Sequence, residues 1–306
     1  MMMNEPLHFD ALRGTLARDV SLARYTSWRC GGNAERLYAP ADRADLAAFV
    51  RQLPATEPLT IIGLGSNLLV RDGGVRGTVI AIHATLNEIA LQDDGTIYAE
   101  AGVASPKVAR YAALHDRAGA EFLAGIPGTL GGALAMNAGC HGGETWRQVR
   151  QVEVLRRDGS FERRGTDAYR IAYRSVLRAD GSAPDGIFTA AWLDFPLGDG
   201  HAARERIKEL LRRRIASQPL ELPNAGSVFR NPEGDYAARL IEQCGLKGFA
   251  IGGARVSEKH ANFIVNPGGA GTAADVEALI EHVRVTVRER CGVELEPEVR
   301  VIGEAV

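Results

Sequence analysis

Apolar and polar positions follow two rhythms along this chain. Over residues 42–53, Leu46, Phe49, Val50 and Leu53 recur at helical spacing and predict a helix with one buried face. Residues 275–290 repeat that rhythm through Val276, Leu279, Ile280, Val283 and Val287, and Gly292 ends it. Ser105-Pro106 opens a helix to about residue 117 by a cap and a first-turn proline. Residues 235–244, closed by Gly245, predict another, and Ile207, Leu210, Leu211 and Ile215 mark a basic one. Short apolar runs at 59–64, 78–82, 96–101 and 261–265 predict strands. Residues 149–157, 160–164 and 187–195 read as an antiparallel set, with Asp158-Gly159 as a hairpin turn. Residues 1–24 read as a short tail with a polar helix, 35–39 as a strand or turn, and Glu298 and Arg300 as one face of a last strand. The character of the chain changes near Gly198-Asp-Gly200, which puts the main boundary near residue 197.

Composition narrows the class without naming a chemistry. The 306 residues are enough for two or three small domains. A net charge of −2 gives no global pull toward nucleic acid or an anionic membrane. The six basic residues within 204–214 read as a solvated helix face or as an attractor for an anionic substrate. Cys30, Cys140, Cys244 and Cys291 show no metal spacing. The first ten residues lack an apolar core and no run of about 18 apolar residues occurs. A cytoplasmic protein with reduced thiols is the expectation.

Glycine is the unusual entry, with 35 residues, and it is clustered. Gly63-Leu-Gly65 follows a predicted strand, but position 68 is leucine and a loop follows, so the Rossmann fingerprint fails. Its turn can still make an anion nest, with Ser66 and Asn67 adding side-chain donors. The second cluster, Gly125-Ile-Pro-Gly128 through Asn137-Ala-Gly139, offers bare backbone to a flat group such as a pyrophosphate or a flavin edge.

Asn224-Ala-Gly-Ser227-Val-Phe-Arg-Asn231 puts a hydroxyl in a tight polar loop. Arg174 and Glu298 are its candidate companions. A proton donor, an oxyanion clamp and a carboxylate suit protonation of an enol or enolate beside a substrate carboxylate.

These motifs occur in order with Leu295-Glu-Pro-Glu-Val-Arg300, and Tyr25-Thr-Ser-Trp-Arg-Cys-Gly-Gly32 precedes them. Together they closely resemble the UDP-N-acetylenolpyruvoylglucosamine reductase family, flavoenzymes of bacterial peptidoglycan synthesis. The resemblance runs from about Tyr25 to Gly303. It implies an α+β protein with an FAD-binding fold of the vanillyl-alcohol-oxidase type in two subdomains, about 25–70 and 71–197. A tail over 1–24 would precede it and a substrate domain over 198–306 would follow.

By the same resemblance Ser227 is the proton donor, with Arg174 and Glu298 as its catalytic partners. Gly63, Gly65, Ser66 and Asn67 hold the FAD pyrophosphate, Gly128, Gly132, Asn137 and Gly139 line the flavin, and Gly102 joins the cofactor-binding set. Asn231, His260 and Arg300 are implied as substrate-lining. NADPH is the implied reductant and a UDP-sugar the substrate; a monomer is expected, without nucleic acid or membrane as partner. The short span between Arg174 and Ser227 leaves no room for the tyrosine-bearing loop of type I members, so the chain resembles type II. The family's diphosphate-binding lysine has no clear counterpart; the basic helix ending at Arg214, or Arg300, is its expected substitute. Cys30 and Cys140 sit in flavin-facing motifs, and no covalent linkage is expected. An FAD oxidase of small alcohols or sugars and a non-catalytic flavin- or nucleotide-sugar-binding module are the competing readings. Neither needs the Arg174, Ser227 and Glu298 set.

Overall fold

The computed structural model describes Phe9, residues 11–83 and residues 85–306. Among these, six α-helices are α1 (Arg43–Gln52), α2 (Ser105–Leu114), α3 (Leu130–Met136), α4 (Gly200–Ser217), α5 (Ala237–Gln243) and α6 (Ala273–Cys291). The chain forms two compact units. Unit 1 holds the described part of residues 1–18 with 36–63 and 77–204; unit 2 holds 19–35, 64–76 and 205–306. The boundary expected near residue 197 therefore falls a few residues later, inside α4. Two early segments, 19–35 and 64–76, group with the C-terminal residues.

Among the described residues the two largest sheets have four and five strands. One has the strand order Thr15–Ser21, Asn33–Ala39, Val75–Ala81, Leu59–Ile62, and its last pair is parallel, with Leu59 opposite Thr78. The other is antiparallel, in the order Phe161–Gly165, Val149–Leu155, Ile187–Leu193, Ile97–Glu100, Ile89–Leu91. This is the antiparallel set expected from the sequence, extended by two strands. Residues 15–21 form a strand where a polar helix was expected; that strand is largely exposed, so no apolar alternation marks it. The first eight residues of the expected tail lie outside the described residues.

The helix expected over 42–53 forms as α1, with Asp42 as its cap accepting from the Asp45 N–H at 2.9 Å. Leu46, Phe49 and Val50 enter a core with Tyr38, Ile80, Leu155 and Ile187, and Tyr38 stacks on Phe49 at 3.8 Å. Asp45 is 2% exposed and accepts from Arg13 N–H at 2.8 Å, Tyr38 O–H at 2.5 Å and Ala41 N–H at 2.8 Å. Burial opposes its charge, but these donors overcome it and hold the carboxyl below its ordinary value. A depressed folded pKa stabilises the fold above the unfolded value, about 4. That contribution is lost as pH falls through the folded pKa. Asp45→Asn should therefore cost about 2 kcal/mol near pH 7. The melting-temperature gap to the parent protein should narrow below about pH 4; a gap that widens on acidification contradicts the assignment.

Unit 2 buries one core of Trp28, Cys30, Leu69, Val228, Phe229, Leu240, Ile241 and the inner face of α6. The capping box of Thr272 and Asp275 starts α6, and left-handed Gly292 stops it. The strand Arg300–Ile302 runs parallel to Leu68–Val70, with Arg300 opposite Leu68. Glu298 lies before that strand, and Val299 bends the chain between the two. The strand expected over 261–265 is reduced to Ile264–Val265. Its first residues are drawn into a turn in which Phe263 N–H donates to His260 O.

Candidate active site

In unit 2 the serine loop is fixed at both ends. Asn224 donates to the carbonyls of Leu222 and Pro219 at 2.8 and 3.1 Å, and its Oδ1 accepts from Gly226 N–H at 2.9 Å. This Asx turn delivers the chain into Ser227. The next two residues, Val228 and Phe229, are 1% and 2% exposed, so the loop is anchored in the core directly beside the half-buried serine.

Glu298 is tied to the same segment. Its N–H donates to Val228 O at 2.7 Å, and Arg230 N–H donates to Glu296 O at 2.9 Å. Phe229 and Pro297 are paired between these two bonds. Asn67 extends the arrangement: its Nδ2 donates to Glu298 O at 3.1 Å and its carbonyl accepts from Arg300 N–H at 3.0 Å. Three candidate site residues, Glu298, Asn67 and Arg300, thus share one hydrogen-bonded assembly with Val228, which follows Ser227.

Gly65 explains how Asn67 reaches that position. Its φ is +61°, and a Cβ there would lie 1.8 Å from Tyr25 O. Only glycine fits, and the turn sets Ser66 and Asn67 at its exit. Cys30 lies in the same core, and burial, with Asp72 and Asp275 nearby, pushes its thiol up to about 11. A thiol held neutral in a core fits the expectation that it forms no flavin bond.

Asn231 and His260 have local partners. Asn231 Oδ1 accepts from Ala237 N–H at 3.1 Å and helps start α5. His260 Nδ1 accepts from Asn262 N–H at 3.3 Å, its ring packs edge-on to Phe263, and burial holds its pKa below the ordinary value. An accepting Nδ1 requires the neutral imidazole, with its proton on Nε2.

Unit 1 positions Arg174 at the tip of a two-residue hairpin between the strands Tyr169–Ala172 and Ser175–Arg178. Its φ is +54°, a left-handed backbone on a bulky residue. The guanidinium donates to Gly139 O at 3.0 Å and Asn137 O at 3.5 Å, and lies 4.9 Å from the centre of the Tyr173 ring. Asn137, left-handed at the end of α3, is 1% exposed. Its Nδ2 donates to Ala172 O at 3.1 Å and Glu144 Oε2 at 3.4 Å, and its Oδ1 accepts from Trp146 N–H at 3.1 Å. The Asn137 side chain thereby braces the Arg174 hairpin.

Gly63 lies close to the second glycine cluster in this unit: a Cβ there would lie 2.4 Å from Thr129 Oγ1. Gly128 accepts from Ser105 N–H at 2.9 Å, and Gly102 packs on the backbone of Ile82 and Leu86. Gly132 and Ala135 are exposed one turn apart on α3, and a Cβ on Gly132 would meet only Thr129 Oγ1, at 3.9 Å. This bare helical face offers backbone to a flat group. Asn262, whose side chain bonds the Phe229 backbone, is a residue that sequence reasoning did not single out. Its signal was an amide between Ala261 and Phe263, within a run otherwise read as an apolar strand. Among the described residues no cluster of His, Cys, Asp or Glu could hold a metal ion, and no helix is long and apolar enough to cross a membrane.

This fold and these motifs define an FAD-dependent oxidoreductase of α+β architecture. Residues 34–165 match the FAD binding domain model, and residues 218–302 match that of the UDP-N-acetylenolpyruvoylglucosamine reductase C-terminal domain. The UDP-N-acetylenolpyruvoylglucosamine reductase of Nitrosospira multiformis is 57% identical over 321 residues, covering 98% of this chain and 92% of its own. That of Thiobacillus denitrificans is 55% identical, covering 96% and 94%. The crystal structure of the Thermus caldophilus UDP-N-acetylenolpyruvylglucosamine reductase aligns with a TM-score of 0.80 at 34% identity, over 95% of this chain and 99% of that one. The chain belongs to the UDP-N-acetylenolpyruvoylglucosamine reductase family.

Proposed function

We propose that this protein reduces the enolpyruvyl group of UDP-N-acetylglucosamine enolpyruvate to UDP-N-acetylmuramate with NADPH, through non-covalently bound FAD, in peptidoglycan precursor synthesis. The observation that carries the reading is the 2.7 Å bond from Glu298 N–H to Val228 O, which fixes a carboxylic side chain beside the Ser227 loop. Family membership over nearly the whole chain supports the substrate and the reductant.

FAD, when bound, supplies hydride to the methylene carbon of the alkene. The remaining requirements fall on the chain. Negative charge develops on the adjacent carbon and spreads into the substrate carboxylate, so fixed donors are needed there. Arg174 offers a planar fork of donors. Ser227 holds the proton that the carbanionic carbon takes up. Glu298 lies beside the same loop, its N–H bonded to Val228 O. The Ser66-Asn67 turn and the exposed Gly132 face hold the cofactor, with Asn137 and Gly139 bracing the Arg174 hairpin. Asn231, His260 and Arg300 line the substrate end. The protein acts as a cytoplasmic monomer, where NADPH and UDP-sugars are available, without nucleic acid or membrane.

An anaerobic visible spectrum tests this reading. Flavin bands should bleach with NADPH and return on addition of UDP-N-acetylglucosamine enolpyruvate. Bands that return only with air favour the oxidase reading, and no bands after reconstitution with FAD overturn both.

A further inference from the structure

Asn262 is 3% exposed, and none of the roles assigned above uses its side chain. Its amide pairs with both backbone groups of Phe229: Oδ1 accepts from Phe229 N–H at 2.9 Å, and Nδ2 donates to Phe229 O at 2.8 Å. Its own carbonyl accepts from Val228 N–H at 2.9 Å. Three hydrogen bonds from one residue therefore replace a neighbouring strand along the two residues that follow Ser227. Asn262 is held in turn by its N–H to His260 Nδ1, at 3.3 Å, and His260 N–H donates to Ser257 Oγ at 3.3 Å. On the opposite edge of the same segment, Val228 O receives the Glu298 N–H.

A segment with only one edge paired could shift along the core or rotate about its remaining bonds. With Asn262 on one edge and Glu298 on the other, it cannot. A carboxamide is the group that can present a donor and an acceptor side by side to one residue's backbone. Aspartate keeps the acceptor but turns an oxygen toward Phe229 O. Alanine leaves both backbone groups unpaired and buried.

We infer that Asn262 is a positioning residue for the proton-transfer step: its carboxamide clamps the Val228-Phe229 backbone and thereby sets where Ser227 Oγ stands. The inference rests on Ser227 being the proton donor. A displacement of about 1 Å in a catalytic group can cost on the order of 10²-fold in rate. The loss should fall on the substrate step alone, because hydride transfer from NADPH to FAD takes no proton from Ser227.

The test is stopped-flow comparison of the FAD-loaded parent protein, Asn262→Ala, Ser227→Ala and the double variant. NADPH reduction and reoxidation by UDP-N-acetylglucosamine enolpyruvate are followed separately at saturating ligand, and reoxidation is repeated in D2O. For Asn262→Ala we expect reoxidation slowed about 10²-fold with a raised solvent isotope effect, and NADPH reduction within about twofold of the parent. The double variant should reoxidise no more than a few-fold slower than Ser227→Ala, because a misplaced serine and a missing one have the same effect. Should Asn262→Ala fail to fold, Asn262→Asp carries the same comparison. Parent-like reoxidation, equal losses in both half-reactions, or losses that multiply in the double variant overturn the inference. Parent-like reoxidation by Ser227→Ala would instead show that Ser227 is not the donor, and the positioning role would fall with it.

Discussion

Ser227→Ala should leave NADPH reduction of the flavin intact and slow reoxidation by the enolpyruvyl substrate about 10²–10⁴-fold, the usual contribution of a positioned general acid. The split follows from where the serine stands. It follows a core-anchored turn in unit 2, on the segment bonded to Glu298. The reductive half-reaction needs no proton from this loop. Serine is a weak acid, and it can serve only a strongly basic target such as the carbon that bears charge after hydride addition. Its removal therefore withdraws the proton at the step where demand is highest. Cysteine at the same position keeps a proton in place and should restore part of the rate; glycine should not. The measurement is two stopped-flow traces per variant, and a comparable fall in both half-reactions rules out the donor role.

The sequence carried a good deal of this arrangement, for identifiable reasons. The helices α1 and α6 have wide apolar faces and side-chain caps, and both periodicity and cap are local. The antiparallel set around Asp158-Gly159 was legible because a hairpin joins neighbours. The assignment of 19–35 and 64–76 to unit 2 was not. Trp28 donates from its indole to Ile264 O at 2.7 Å, and Asn266 donates back to Trp28 O at 2.9 Å. Bonds across more than 230 residues leave no periodic trace. The same holds for Asn262, whose partners lie 33 residues away, and for the Asn67 bond to Glu298. Motif order named candidate site residues, whereas the bonds that fix their positions are long-range. Asn137 shows the difference most plainly: its Nδ2 donates to Ala172 O, 35 residues away.

Arg174 offers the sharpest separation of stability from activity. Its φ of +54° is a conformation that costs a bulky residue on the order of 1–3 kcal/mol. Glycine adopts it freely, so Arg174→Gly relieves that strain. Against this stand the lost bonds to Gly139 O and Asn137 O, about 1 kcal/mol each. The two effects nearly cancel, and the melting temperature should stay within about 4 °C of the parent. Activity should not follow stability. Removing one preorganised donor to a developing oxyanion typically costs 10²–10³-fold. Substrate reduction by Arg174→Gly should fall by at least that factor, with FAD retained and the NADPH step unchanged. Arg174→Lys keeps the charge, the left-handed strain and one donor direction, but not the planar fork. It should melt lower than Arg174→Gly and recover only part of the rate. A glycine variant that unfolds would show that the hairpin depends on the guanidinium. One that stays folded and fully active would remove Arg174 from the reaction.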